Sequence, residues 1–293
     1  MILCAGEALI DMLPRVTPEG PAFLPATGGA VYNTAIALGR LGAPVALHTG
    51  LSSDLFGKML SDGLAASNVA CRAAVSDRPT TLAFVTLVEG QATYAFYDEG
   101  TAGRMLSPQD APSMEGVTAL FVGGISLAVE PCAEAYAALA LANAHLPLMI
   151  DPNIRPGFIR DADAFRARLD RLLAVADIVK LSDEDLEWLG LKPDDLLAKG
   201  AKMLCLTEGA AGVRAITRSA EVHVPARAVE VVDTVGAGDT FNAGLLAGLS
   251  RAGALTKDAP APDILRAALE LGVTAAAVTV GRAGANPPWA HEL

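Results

Sequence analysis

Short, nearly uninterrupted apolar runs alternate along this chain with longer segments of helical period, and that alternation constrains the fold most. Strands buried on both faces read as such runs, and intervening helices cover the faces. The pattern predicts βαβ units around a mostly parallel sheet. Met1–Ala5 reads as a first strand. Val31–Leu41 sets Ile36, Ala37, Leu38 and Leu41 at helical spacing and stops at Gly42. Pro44–Thr49 is then a strand, and Asp54–Ala66 an amphipathic helix with Leu55, Met59, Leu60 and Leu64 inward. Further strands are predicted at Ala119–Gly123, Pro147–Ile150, Ile178–Leu181 and Met203–Thr207, with helices between them.

Two stretches break the rhythm. Thr81–Glu89 and Ala92–Asp98 are β-rich and joined by Gly90-Gln91, which reads as a hairpin. Leu13–Pro25 carries Pro14, Pro18, Pro21 and Pro25 and is expected to be too irregular for the sheet. Both stretches are either excursions forming a small β lid or ordinary surface decoration.

Composition excludes whole classes of function. With 52% hydrophobic and 19% charged residues in 293, the chain can bury a large core, which excludes disorder. A net charge of −11 leaves no basic surplus to displace phosphate counterions, so nucleic acid is not an expected partner. Mean hydropathy is +0.38, yet the most apolar stretch, Ala135–Ile150, is 16 residues long and holds Asn143, His145 and Pro147. A membrane span needs about 20 apolar residues, so a buried helix running into a strand is expected there. MILCAGEALIDML has no basic start and meets Glu7 early, unlike a signal peptide. Cys4, Cys71, Cys132 and Cys205 form no C-x-x-C pair and read as buried small hydrophobes in a reducing cytoplasm. His48, His145, His223 and His291 stand in no catalytic or metal-binding context and read as structural or surface residues.

The chemistry is expected around Val231-Val232-Asp233-Thr234-Val235-Gly236-Ala237-Gly238-Asp239-Thr240-Phe241-Asn242. A β-type run ends in Gly-Ala-Gly-Asp, and Phe241, Leu245, Leu246 and Leu249 then begin a buried helix. Glycines at a helix N-terminus leave backbone N–H groups free and unshielded, which suits a transferring phosphoryl group. Asp239 would stand beside it, able to accept a hydroxyl proton. The plainer reading makes Asp239 an N-cap and the glycines a tight turn. A second segment, Gly28-Gly29-Ala30-Val31-Tyr32-Asn33, opens a helix that ends in Arg40-Leu41-Gly42. Its glycines admit a ligand close to the backbone, and Asn33 brings the donor and the acceptor that sugar hydroxyls require.

Together the two segments resemble the signature regions of the PfkB (ribokinase-like) carbohydrate kinases, in the right order and one near each end. The resemblance spans essentially the whole chain. It implies one ribokinase-like domain over residues 1–293: a three-layer α/β/α fold with a mostly parallel central sheet. Residues of about 12–27 and 80–104 would form a small β-sheet lid. By the same resemblance Asp239 would deprotonate the sugar hydroxyl, and Gly236, Ala237 and Gly238 would hold the γ-phosphate of ATP. Asp11, Gly28, Gly29 and Asn33 would bind the sugar. Thr207, Gly209 and Gly212 resemble the family's Thr-x-Gly-x-x-Gly nucleotide loop. Asp233, Val235, Thr279, Arg282 and Gly284 fall where relatives hold K⁺, largely through backbone oxygens.

One motif departs from the family. Lys-x-Asn-x-x-Glu becomes Lys180-Leu181-Ser182-Asp183-Glu184-Asp185. Lys180 and Ser182 would still meet the nucleotide, and Asp185, or Glu184 in its stead, would reach Mg²⁺ through water. An acidic first helical turn that complements the helix dipole accounts for the same residues.

Asp151-Pro152-Asn153-Ile154-Arg155 resembles a motif of fructokinases and 2-keto-3-deoxygluconate kinases, with Arg155 facing the phosphate or the sugar. Tyr97 would contact the sugar from the lid. The ketodeoxygluconate enzymes carry an arginine beside the lid tyrosine, whereas Asp98 and Glu99 follow Tyr97 and would repel a carboxylate. Arg104 lies six residues beyond Asp98. A neutral sugar is therefore expected, and Gly6-Glu7-Ala8-Leu9-Ile10-Asp11 most resembles fructokinases. The expectation is ATP- and Mg²⁺-dependent phosphorylation of fructose to fructose 6-phosphate. The alternatives are 2-keto-3-deoxygluconate kinase, ribokinase, a nucleoside kinase, or a non-catalytic sugar sensor on the same fold. The sequence lacks both the P-loop pattern and the G-x-G-x-x-G of dinucleotide-binding dehydrogenases. Lids of the family often pair between subunits, so a homodimer through the lid is the oligomer the resemblance allows.

Overall fold

The computed structural model describes residues 1–88 and 91–293. The chain begins with β1 (Ile2–Ala5), β2 (Leu9–Thr17), β3 (Gly20–Gly28), α1 (Ala30–Arg40), β4 (Val45–His48) and β5 (Gly50–Ser52). Then come α2 (Leu55–Ala66), β6 (Ala70–Cys71), β7 (Ala74–Ser76), β8 (Leu82–Val88), β9 (Gln91–Tyr97) and β10 (Ala119–Gly123). Helix α3 (Cys132–Ala142), β11 (Leu148–Asp151), α4 (Ala162–Leu173), β12 (Ile178–Ser182), α5 (Asp183–Leu189) and α6 (Pro193–Lys199) follow. The chain closes with β13 (Met203–Thr207), β14 (Val213–Thr217), β15 (Glu221–Val224), α7 (Ala237–Arg251) and α8 (Pro262–Val280).

Nine strands form the main sheet, in the order β15-β14-β13-β12-β11-β10-β1-β4-β6. From β6 to β13 every neighbouring pair is parallel, and β14 and β15 add an antiparallel edge. The apolar runs are explained by burial on both faces. Along β1, Ile2 and Cys4 join the core beneath α1, α7 and α8, whereas Leu3 and Ala5 join the core beneath α3 and α4. The result is the α/β/α layering expected from the alternation.

A second sheet, in the order β3-β2-β8-β9, stands apart from the first. Leu13–Pro25 corrects the expectation of irregularity: it lies within a regular antiparallel hairpin, from Leu9↔Gly28 to Thr17↔Gly20. Its prolines are tolerated because β3 is an edge strand and β2 pairs with β8 only over Ile10–Met12. The β8–β9 hairpin forms as expected, though Glu89 and Gly90 of its turn lie outside the described residues.

Two smaller expectations are also corrected. Leu55 is exposed, because it is the first residue of α2 and precedes the packed Leu60 and Leu64. Cys71 is exposed on the two-residue edge strand β6, while Cys4, Cys132 and Cys205 are buried.

Helices α7 and α8 cross closely through glycines. A Cβ on Gly244 would lie 2.5 Å from Gly272 Cα, and one on Gly248 would lie 2.7 Å from Ala268 Cα. This crossing fixes α7 against the body, with its N-terminus at the mouth of the site.

Candidate active site

Gly236 caps α7 with a left-handed backbone, φ 78°, turning the preceding run into the helix. Ala237 N–H reaches Thr234 O at 3.3 Å, whereas the N–H groups of Gly238 and Asp239 meet no acceptor among the described residues. Free donors at the positive end of a 15-residue helix favour an anion. Gly238 leaves the approach open; a Cβ there would stand 3.5 Å from Lys180 Nζ.

Lys180 is buried in the middle of β12 and held by Asp151 Oδ2 at 3.2 Å. That carboxylate also accepts from Asn242 Nδ2 at 2.6 Å and from Asn153 N–H at 3.1 Å. Burial opposes the charge on Lys180, but Asp151, Asp185 and Asp239 together hold its pKa above the ordinary lysine value.

Asp239 is the third residue of α7, not its cap. It is 9% exposed, and its Oδ2 accepts from Asn33 Nδ2 at 2.9 Å. Thr34 Oγ1 donates to its backbone oxygen at 3.3 Å. Burial pushes the Asp239 carboxyl up to about 7; Asn33 and Lys180 pull it down, and Asp151 and Glu7 push it further up. A carboxyl tuned near neutrality beside free anion donors has the properties of a general base for phosphoryl transfer.

Asp11 lies on β2 opposite Ala26 of β3, and burial lifts its carboxyl to about 6. A side chain on Gly28 would collide with Asp11 Oδ2, and a Cβ on Gly29 (φ 104°) would lie 2.7 Å from Glu7 O. The glycine pair therefore keeps a slot open between Asp11 and the first turn of α1, which carries Asn33.

Three residues assigned no role from the sequence complete the arrangement. Glu7 joins the exit of β1 to two other segments, accepting from Ala30 N–H at 3.0 Å and Ser126 N–H at 3.2 Å. Burial raises its pKa. Asp151 and Asn242 are the others. The signal for Asn242 was its place three residues after Asp239, on the same helix face. For Asp151 and Glu7 it was a carboxylate closing an apolar strand.

The remaining expected residues divide. Arg155 is exposed, its Nη1 donating to Ile154 O at 3.0 Å, and it opens into a cavity of about 600 Å³ with Phe96, Asp98 and Arg104. Tyr97 is not among the residues lining that cavity. Side chains alternate along β9, so Phe96 and Asp98 line the cavity while Tyr97, 64% exposed, packs edge-on to Phe84. Thr207 ends β13, and Gly209 and Gly212 take φ of 53° and 105° in a turn closed by Glu208 N–H to Gly212 O.

Asp185 is buried and engaged at both oxygens. Oδ1 accepts from Ile154 N–H at 2.7 Å; Oδ2 accepts from Ser182 N–H and Oγ, each at 2.8 Å. With Asp185 N–H donating to Ser182 Oγ, the two residues form a capping box for α5. Glu184 is exposed. Among the described residues no group of three or more His, Cys, Asp or Glu is arranged to hold a metal ion. In the segments expected to hold a monovalent cation, Asp233 ties two loops together through Val235 N–H at 3.0 Å and Gly284 N–H at 2.9 Å. Thr279 O accepts from Arg282 N–H, and the Arg282 side chain pairs with Glu292 at 2.7 Å. The segments 233–235 and 279–284 are thus adjacent, and their carbonyl oxygens are of the kind a monovalent cation takes.

The pattern of the pfkB family carbohydrate kinases matches residues 1–292. The chain belongs to that family. The kinase is 54% identical to a fructokinase of Rhizobium leguminosarum bv. trifolii over 267 residues, 88% of this chain and 82% of the relative. Its fold matches that of a Xylella fastidiosa fructokinase with bound ATP at a TM-score of 0.88 and 31% identity, over 97% of this chain and 93% of that one. It also matches a double-mutant Vibrio cholerae O395 fructokinase in a fructose, ADP and potassium ion bound form. There the TM-score is 0.83 and the identity 26%, over 97% of this chain and 93% of that one. The kinase therefore has the three-layer ribokinase-like fold expected from its two glycine-rich segments. Among the described residues no helix is long and apolar enough to cross a membrane.

Proposed function

We propose that this carbohydrate kinase transfers the γ-phosphoryl group of ATP to fructose, giving fructose 6-phosphate. The observation that carries the reading is Asp239, buried beside the unpaired N–H groups of α7 and hydrogen-bonded by Asn33. In this mechanism Asn33, Asp11 and the Gly28-Gly29 backbone orient the sugar. Asp239 takes the proton of the attacking hydroxyl, and the N–H groups of Gly238 and Asp239 stabilise charge on the phosphoryl oxygens. Lys180 and Arg155 add positive charge on the phosphate side, and Thr207, Ser182, Gly209 and Gly212 border the nucleotide. Catalysis of this kind rests on positioning and electrostatics.

Mg²⁺, when bound to the nucleotide, supplies charge neutralisation between the phosphates. The potassium ion bound by the Vibrio relative supports a monovalent cation near Asp233 and Gly284. The four-stranded sheet, with its segments of about 12–27 and 80–104, acts as a lid over the sugar, and residues 1–293 work as one domain. Exposed Val16, Phe23 and Leu24 on its hairpin support a homodimer through the lid, which sedimentation would test. Four free cysteines and a nucleotide substrate suit a cytoplasmic protein.

The deciding experiment is a coupled assay of ADP release with ATP and Mg²⁺ across fructose, 2-keto-3-deoxygluconate, ribose, adenosine and glucose. The highest kcat/KM is expected on fructose. A higher value on any other acceptor would replace fructose as the substrate.

A further inference from the structure

Two cavities meet at one ion pair. The larger, about 600 Å³, lies between β9 and the body, with Asp98, Arg104, Arg155 and Arg168 in its wall. The smaller, about 30 Å³, reaches from Leu9 at the start of β2 to the same Asp98 and Arg104. Arg104 Nη1 donates to Asp98 Oδ1 at 3.0 Å, and Nε donates to Glu130 O at 3.0 Å. Both side chains are mostly buried, 16% and 17% exposed, so solvent screens the pair little.

The other cations of the wall differ. Arg168 is already met by Glu130 and by Leu127 O. Arg155 has no carboxylate partner among the described residues and is exposed. Arg160, also in the wall, faces Glu99 at 3.7 Å. Among the described residues a sugar bearing a carboxylate would thus find one wall cation without a carboxylate partner, Arg155, at the rim. Deeper in, it would find a guanidinium whose charge is spent and an aspartate that repels it.

We infer that the Asp98–Arg104 pair determines the class of acceptor, admitting neutral sugars and refusing sugar acids because Asp98 occupies the guanidinium that would otherwise bind the acid. A buried charge left without its partner is strongly unfavourable. Removal of Asp98 therefore creates a cationic site that an incoming carboxylate satisfies. Specificity here is a difference between two affinities, and it is set by the pair rather than by contacts to the neutral sugar.

The inference rests on the chain being a sugar kinase and not on fructose being its sugar. The test is calorimetric binding of 2-keto-3-deoxygluconate to wild type, Asp98→Asn and the double variant Asp98→Asn/Arg104→Gln. Fructose turnover is assayed in parallel on wild type. Asp98→Asn should bind the acid at least about tenfold more tightly than wild type, as expected when a ligand carboxylate partners a buried charge left unpaired. The double variant should lose that gain. Asp98→Ser repeats the test with a second neutral side chain if Asp98→Asn does not fold. An unchanged affinity in the neutral variants, or a gain that survives loss of Arg104, overturns the inference. So does wild type binding the acid as tightly as its neutral sugar. Absence of fructose turnover in wild type bears on the substrate alone and leaves the binding comparison intact.

Discussion

Asn33 donates a 2.9 Å hydrogen bond to Asp239 across 206 residues of sequence. The contact joins the first turn of α1 to the first turn of α7. Each helix begins at a glycine with positive φ, so both turns present backbone and short polar groups to the same space. The bond also acts on the proton affinity of Asp239, because it favours the ionised carboxylate against the effect of burial.

Replacing Asp239 by asparagine should lower kcat by about 10²–10⁴ while sugar binding persists, the range for loss of a general base. Thermal stability should not fall, since a buried carboxyl lifted to about 7 is costly to ionise and the amide keeps the shape. Near-normal turnover would remove Asp239 from the mechanism.

Activity should rise with pH through the region of about 7 as Asp239 loses its proton. Stability should move the other way. The folded pKa lies above the unfolded value of about 3.9, so the native state binds more protons between the two. The contribution of Asp239 is therefore fully present below about pH 4 and lost as pH rises through about 7. Asn33→Ala should shift the acid limb of kcat/KM to higher pH, because the bond that favours the carboxylate is gone. A pH profile superimposable on wild type would show that Asn33 does not tune the base.

Gly28→Ala should raise KM for the sugar more than it lowers kcat. The added methyl collides with Asp11 Oδ2 and drives that carboxylate out of place. Steady-state kinetics with saturating ATP separates the two parameters; a change confined to kcat would contradict the assignment of Asp11 to binding.

Asp185→Ala should destabilise the protein by about 1–3 kcal/mol even without nucleotide or Mg²⁺, since Ile154 N–H and the Ser182 cap lose their acceptor. Urea unfolding without ligands measures this directly. An effect visible only in the Mg²⁺-dependent rate would instead make Asp185 a metal contact.

The sheet was legible because strands covered on both faces leave apolar runs with no polar alternation, as Ile2–Ala5 and Met203–Thr207 do. The β2–β3 hairpin was not, because its prolines read as breakers and only an edge position makes them acceptable. Asp239, Asn33 and the glycines stood out through local motifs. Lys180 was recognised by motif, but its partners Asp151 and Asn242 come from distant elements, and no periodicity joins them. Tyr97 illustrates another limit: a β-strand sends neighbouring side chains to opposite faces, and sequence alone does not say which face meets the cavity.

The glycine-lined crossing of α7 on α8 leaves little room for α7 to shift. The anion donors, Asp239 and Lys180 consequently belong to the rigid body, whereas Asp11, Phe96 and Asp98 come from the second sheet or its edge. A division of this kind uncouples two kinds of change within one chain. A substitution in the small sheet can alter the groups that face the acceptor without displacing the helix that carries Asp239.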